Sequence, residues 1–139
     1  METIKIALDP GATTPTRAHA TDAGLDLYAA ERKVIRGQDW ESVETGIHAQ
    51  IPPGFVGLLT SKSGLMAKHG ITSRGTIDAG YTGTIKAVLF NHSERTYIVE
   101  KGDKITQMVI LPIITPELEL VDELEETERG AGGFGSTGR

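Results

Sequence analysis

Apolar residues fall on alternate positions along most of this chain, a period of two that marks strands with one face buried. IKIAL at 4–8 and LDLYA at 25–29 alternate cleanly, and ESVET at 41–45 is β-prone. Further strand-like runs are GFVGLLT at 54–60, TIKAVLFN at 84–91, TYIV at 96–99 and ITQMVILPI at 105–113. Turn-forming residues fill the gaps: Asp9-Pro10-Gly11, Pro52-Pro53-Gly54, Asp78-Ala79-Gly80 and Lys101-Gly102-Asp103. Short strands with turn signals about every 8–12 residues predict an all-β sandwich or barrel.

Three segments depart from this pattern. In SGLMAKHG at 63–70, Ser63 is placed to cap one or two helical turns before Gly70 stops them. In PELELVDELEETE at 116–128 the composition favours helix, but Leu118 and Leu120 alternate and Pro116 opens the run. A short strand leading into an acidic linker is expected there. The chain ends in RGAGGFGSTGR, where five of eleven residues are glycine and Phe134 is the one aromatic. Such a segment cannot fold by itself, so the ring and its two arginines call for a role outside the core.

The length of 139 residues fits one core. Aromatics make up only 5%, so that core must be built from Ile, Leu, Val and Ala. The absence of cysteine excludes disulfides, a thiol nucleophile and thiolate metal sites. A net charge of −5 argues against broad nucleic-acid binding, which needs a basic face. METIKIALDPG lacks an apolar run of signal-peptide length, and no stretch of about 18 apolar residues suits a membrane span. A cytoplasmic or nuclear setting, without membrane partners, is expected.

Several familiar chemistries fail on inspection. GFGSTG at 133–138 matches G-x-G-x-x-G, but that fingerprint needs a following helix and one residue remains. Neither a P-loop nor a G-x-S-x-G elbow occurs. His19, His48, His69 and His92 are not in metal-ligand spacing and read as surface or turn residues.

Four internal stretches hold candidate chemistry. In DAGLDL at 22–27, alternation sets Asp26 on the face opposite Leu25 and Leu27; taken alone, it reads as a solvent-facing strand residue. In SKSGLMAKHG, Lys62, the Ser63 hydroxyl and free backbone N–H groups could meet one anion, or could form a plain helix start. In GTIDAGYTG at 75–83, Asp78 sits at a hairpin turn, exposed and able to take a proton from water. In KGDKITQMVI, Gln107 lies among apolar neighbours and must be hydrogen-bonded, either to the scaffold or to a ligand.

In order, AGLDL, SKSGL, GTIDAGYTG, GDKITQ and RGAGGFGSTG resemble the five motifs of the trimeric deoxyuridine triphosphatase (dUTPase) family, from residue 23 to 138. The resemblance implies a jelly-roll-like β-barrel at 1–128, a glycine-rich lid at 129–139 closing a neighbouring subunit's site, and a homotrimer. It implies Mg2+-assisted hydrolysis of dUTP to dUMP and pyrophosphate, which lowers dUTP and supplies dUMP for thymidylate synthesis. Asp78 would activate the water, and Asp26 would hold Mg2+ through water. Lys62, Ser63, Gly64 and Gln107 would bind phosphates or orient water. Gly75, Thr76 and Ile77 would read uracil through the backbone, Tyr81 would pack under the deoxyribose, and Lys86 would give a supporting contact. From the lid, Phe134 would stack on uracil, while Arg129, Gly135, Ser136 and Thr137 would close on the phosphates.

Two departures from the family pattern stand out. Lys62 occupies the place of the usual Arg, supplying a point charge rather than a bidentate fork. The segment at 70–78 is shorter than in many members, and Arg74 near its tip has no family role. Two rival functions remain on the same residues: a dCTP deaminase, which would place a glutamate near position 78, and a non-catalytic dUTP binder.

Overall fold

The computed structural model describes residues 3–138; Met1, Glu2 and Arg139, the ends of the two expected units, lie outside the described residues. The elements are β1 (Lys5–Leu8), β2 (Gly24–Tyr28), β3 (Lys33–Ile35), β4 (Trp40–Glu44), β5 (Ile47–Gln50), β6 (Phe55–Thr60), α1 (Ser63–His69), β7 (Ile71–Ile77), β8 (Lys86–Asn91), β9 (Tyr97–Val99) and β10 (Lys104–Pro112). A six-stranded antiparallel sheet of order β2-β10-β6-β7-β8-β4 curls into a half-barrel. The ribbons β1-β5 and β3-β9 complete the all-β, jelly-roll-like barrel.

Alternation produces the core directly. On β8, Ala87, Leu89 and Asn91 are buried while Lys86 and Phe90 are exposed. Leu27, Ile47, Ile51, Leu59, Ile77, Ile85 and Met108 form one apolar cluster, and Ile35, Val43, Ile71, Leu89, Val99 and Ile105 form a second. Strand β7 spans both, with Ile71 in one cluster and Ile77 in the other.

The same strand forks. Its residues Ile71, Thr72, Ser73 and Arg74 pair with β8, whereas Gly75, Thr76 and Ile77 pair with β6 instead. Beyond Arg74 the β8-side edge of β7 therefore has no ladder partner among the described residues. The loop at 78–85 spans the gap.

β3, β5 and β7 did not stand out in the hydrophobic pattern. In β7 the inward position 73 is a serine, tolerated because Ser73 Oγ lies 2.7 Å from Thr106 Oγ1 and donates to the Thr60 carbonyl at 3.2 Å. A buried hydroxyl without partners would cost about 1–3 kcal/mol.

The expected strand at 118–120 is absent. After Pro112 no regular element forms among the described residues, and Ile114, Leu118, Leu120 and Leu124 are 87–96% exposed. The segment leaves the barrel, and a lone extended chain has no ladder to join.

Candidate active site

Asp26 is the centre of one group of residues. Alternation does set it opposite the core residue Leu27, yet its side chain is only 7% exposed, which overturns the solvent-facing reading. Two lysines cover it: the Lys62 ammonium donates to Oδ1, and Lys104 Nζ lies 3.5 Å from Oδ2. A buried carboxylate needs such partners, because removing its charge from water alone would cost several kcal/mol.

β10 brings Gln107 to the same place. A register shift between Lys104 and Thr106 resets the ladder so that Gln107 faces Asp26 on β2 and Thr60 on β6. Gln107 Nε2 donates to the Ser61 carbonyl at 3.1 Å. The close approach of its Oε1 requires glycine across the ladder: a Cβ on Gly24 would stand 2.3 Å away.

The segment leading to α1 is fixed as firmly. Ser61 Oγ accepts the Ser73 N–H at 3.0 Å and donates back to the Ser73 carbonyl at 3.3 Å. Lys62, not Ser63, is the N-cap residue; Ser63 is the first helical residue and makes no side-chain cap bond. Lys62 keeps an extended backbone (φ −78°, ψ 123°), which aims its side chain back toward β2 rather than along the helix. Ser63 and Gly64 are exposed at the helix start, and Gly70 ends the helix in the left-handed conformation, φ 66°.

The fork in β7 holds the second group. A cleft of about 260 Å³ opens there, lined by Gly75, Thr76, Ile77, Asp78, Tyr81 and Lys86 among others. Asp78 is exposed at the end of β7, and its carbonyl accepts the Tyr81 N–H at 3.2 Å, closing a tight turn. Tyr81 folds back so that its hydroxyl donates to the Thr84 carbonyl at 2.8 Å. Gly83 makes that fold possible, since a Cβ there would meet the phenol oxygen at 2.6 Å. Gly75 is held by packing, its Cβ position being 2.9 Å from Leu59 Cδ1. Lys86 pairs with Glu44 at 3.3 Å, and the other Glu44 oxygen is buried without a partner.

The third group stays apart. Residues 129–138 coil through three tight turns, with Gly132, Ser136 and Gly138 N–H groups donating to the carbonyls of Arg129, Gly133 and Gly135. Arg129 Nε donates to the Gly132 carbonyl at 2.8 Å, and Phe134 is fully exposed with φ 51°. No hydrogen bond or ion pair among the described residues joins the three groups to one another.

The model of the dUTPase family matches residues 11–138. This chain belongs to the dUTPase family. The deoxyuridine 5'-triphosphate nucleotidohydrolase of Clostridium acetobutylicum is 46% identical over 142 residues, covering 99% of this chain and 98% of that one. Its Saccharomyces cerevisiae counterpart is 44% identical, covering 97% and 94% respectively. Among solved structures, the dUTPase of Staphylococcus bacteriophage 80alpha with dUPNHPP superposes with a TM-score of 0.94 at 36% identity, over the full length of both chains.

Sequence reasoning missed part of this dUTPase's framework. Lys104 on Asp26, Ser61 and Ser73 behind Lys62, and Gly83 beneath Tyr81 were not singled out. Ser61, Lys104 and Gly83 each lie inside a quoted motif, so their position alone could have raised them. The Ser61–Ser73 pairing depends on β7, a strand the pattern did not reveal.

Proposed function

We propose that this chain is a dUTP pyrophosphatase in which the three groups of residues, supplied by different copies of a homotrimer, converge on one nucleotide. The single observation that carries the reading is the fork in β7. It leaves a backbone edge at Gly75, Thr76 and Ile77 facing a cleft with Asp78 and Tyr81 on its rim.

A strand edge presents alternating N–H donors and C=O acceptors at fixed spacing, which suits the edge of a planar base. Uracil offers acceptor, donor, acceptor along its pairing edge. Cytosine reverses part of that order, and thymine adds a methyl group that a closed cleft has no room for. Tyr81, pinned by its bond to Thr84, forms a floor for the sugar and leaves no space for a 2′-hydroxyl.

Asp78 then takes a proton from a water whose oxygen attacks the α-phosphorus. The bond from that phosphorus to the bridging oxygen breaks, dUMP keeps the new P–O bond, and pyrophosphate departs. Lys62, Ser63, Gly64 and Gln107 hold the phosphates and orient the water. The Asp26–Lys62 pair gives this assignment a physical form: the half-buried ammonium is already aimed, and it transfers from carboxylate to phosphate when the nucleotide arrives.

Mg2+ is included in the proposal and suits Asp26 only through water. Among the described residues no three His, Cys, Asp or Glu side chains converge. Mg2+ commonly keeps several waters and takes its other oxygens from phosphates, so one carboxylate suffices. When bound, it supplies neutralising charge to the phosphate oxygens.

The homotrimer and the division into a barrel (1–128) and a lid (129–139) belong to the same reading. Four nearly bare aliphatic side chains on the segment after β10 have no cover among the described residues. Phe134, Arg129, Gly135, Ser136 and Thr137 would seal a neighbour's cleft, where water exclusion strengthens the phosphate contacts. The proposed cytoplasmic setting rests on the family alone.

Pyrophosphate release from dUTP tests the reading, with Asp78→Asn as its companion. Turnover is expected to fall by about 10²-fold or more in that variant while binding of a non-hydrolysable analogue persists. Unchanged turnover would remove Asp78 from the mechanism.

A further inference from the structure

One histidine outside the motifs touches the nucleotide-binding loop. His48 lies on β5 opposite Ala7 of β1, with its ring between two acceptors. Nδ1 is 2.7 Å from the Thr82 carbonyl oxygen, and Nε2 is 2.8 Å from Asp9 Oδ1. Neither partner has a hydrogen to give. A neutral imidazole carries one N–H, so only the doubly protonated ring satisfies both contacts. In the neutral form one ring lone pair would face an acceptor lone pair at under 3 Å.

The location of Thr82 makes this more than a surface contact. The loop at 78–85 carries Asp78 and Tyr81, and its hydrogen bonds up to Thr84 are otherwise internal, from Tyr81 to Asp78 and to Thr84. Among the described residues, the His48 bond is the one that ties this part of the loop to the barrel. The next anchor is Ile85, whose N–H donates to the Ile47 carbonyl at 2.8 Å. Asp9 is itself fixed, its N–H donating to the Gly46 carbonyl at 2.8 Å.

We propose that His48 is a positioning residue for dUTP binding: its imidazolium clamps Thr82 to Asp9 and so holds Asp78 and Tyr81 against the barrel. The inference rests on the reading of the loop at 78–85 as the nucleotide loop. The charged groups facing His48 are Asp9, on the connection after β1, and Glu44 on β4, which shares its charge with Lys86. The Thr82 carbonyl first, and the Asp9 carboxylate next, raise the His48 pKa above its ordinary value, so the clamp holds to higher pH than a free histidine would allow.

Steady-state hydrolysis of dUTP across mildly acidic to mildly alkaline pH tests the clamp in the full-length protein, His48→Gln, Asp9→Asn and Asp78→Asn. In the parent protein KM is expected to rise about two- to fivefold as pH passes the His48 titration, with kcat little changed. His48→Gln should lose that rise and keep the high-pH KM throughout. Asp9→Asn should move the rise to lower pH, in step with the His48 ring protons followed by NMR. A His48→Gln profile that overlays the parent profile overturns the proposal, while an inactive Asp78→Asn keeps the loop reading intact. An active Asp78→Asn sinks the loop reading itself, and the clamp's catalytic role with it. Should His48→Gln fail to fold, Asp9→Asn decides: a shifted ring titration with an unmoved KM profile refutes the clamp.

Discussion

The Tyr81 ring lies against Gly83 so closely that a Cβ on the glycine would stand 2.6 Å from the phenol oxygen and 2.7 Å from its ring carbon Cζ. The glycine supplies space rather than flexibility, because the contact is with a side chain. Substitution there changes one ring position and leaves the barrel alone.

Gly83→Ala is therefore expected to retain the fold while displacing Tyr81. Discrimination of dUTP over UTP, measured as the ratio of kcat/KM values, should fall by about tenfold. An unchanged ratio would show that the ring is not the floor of the sugar site.

Lys62→Ala should weaken dUTP binding more than deoxyuridine binding, read by calorimetry with a non-hydrolysable triphosphate. Loss of a charge-assisted contact predicts a difference of about 1.5–3 kcal/mol. Equal weakening of both ligands would mean that Lys62 serves only to neutralise Asp26. Lys62→Arg asks whether the family's usual fork binds phosphate better than the point charge found here.

Removal of residues 129–139 is expected to leave an assembled, folded protein with almost no turnover. Light scattering and pyrophosphate release report the two halves of that statement. Retained activity would end the lid proposal.

Leu118→Ser combined with Leu120→Ser should weaken assembly without unfolding the barrel. Each leucine contributes about 2 kcal/mol when covered, so the pair suffices to shift a marginal oligomer at low concentration. A sedimentation profile identical to that of the parent protein would show that these side chains stay uncovered.

Stability should follow pH through His48 in a fixed direction. Its pKa is raised in the folded chain by the Thr82 carbonyl and then by Asp9, so its contribution is complete below the unfolded value and vanishes as pH rises through the folded one. The melting temperatures of the parent protein and His48→Gln should accordingly differ at mildly acidic pH and converge at alkaline pH. Parallel curves would contradict this.

What could be read from the chain was whatever alternation and turn chemistry encode. β2, β6, β8 and β10 bury one face on aliphatic side chains, and Gly70 stopped the helix where expected. β7 escaped because hydrogen bonding, not hydrophobicity, satisfies Ser73 inside the barrel. Asp26 looked like a surface residue because its burial depends on Lys62 and Lys104, which lie 36 and 78 positions away in the chain and reach it only through the sheet. The strand expected around Leu118 failed because a ladder needs a neighbour, and an isolated chain supplies none. The motifs marked the candidate residues; the pairing register determined which of their atoms meet.

The fork in β7 has an evolutionary consequence. If base selection resides in amide hydrogens and carbonyl oxygens, no exchange of side chains at positions 76 or 77 can rewrite it. Gly75, wedged against Leu59, resists change for steric reasons of its own. A search for variants accepting another pyrimidine would have to reshape the path of the main chain, which makes uracil preference unusually resistant to point mutation.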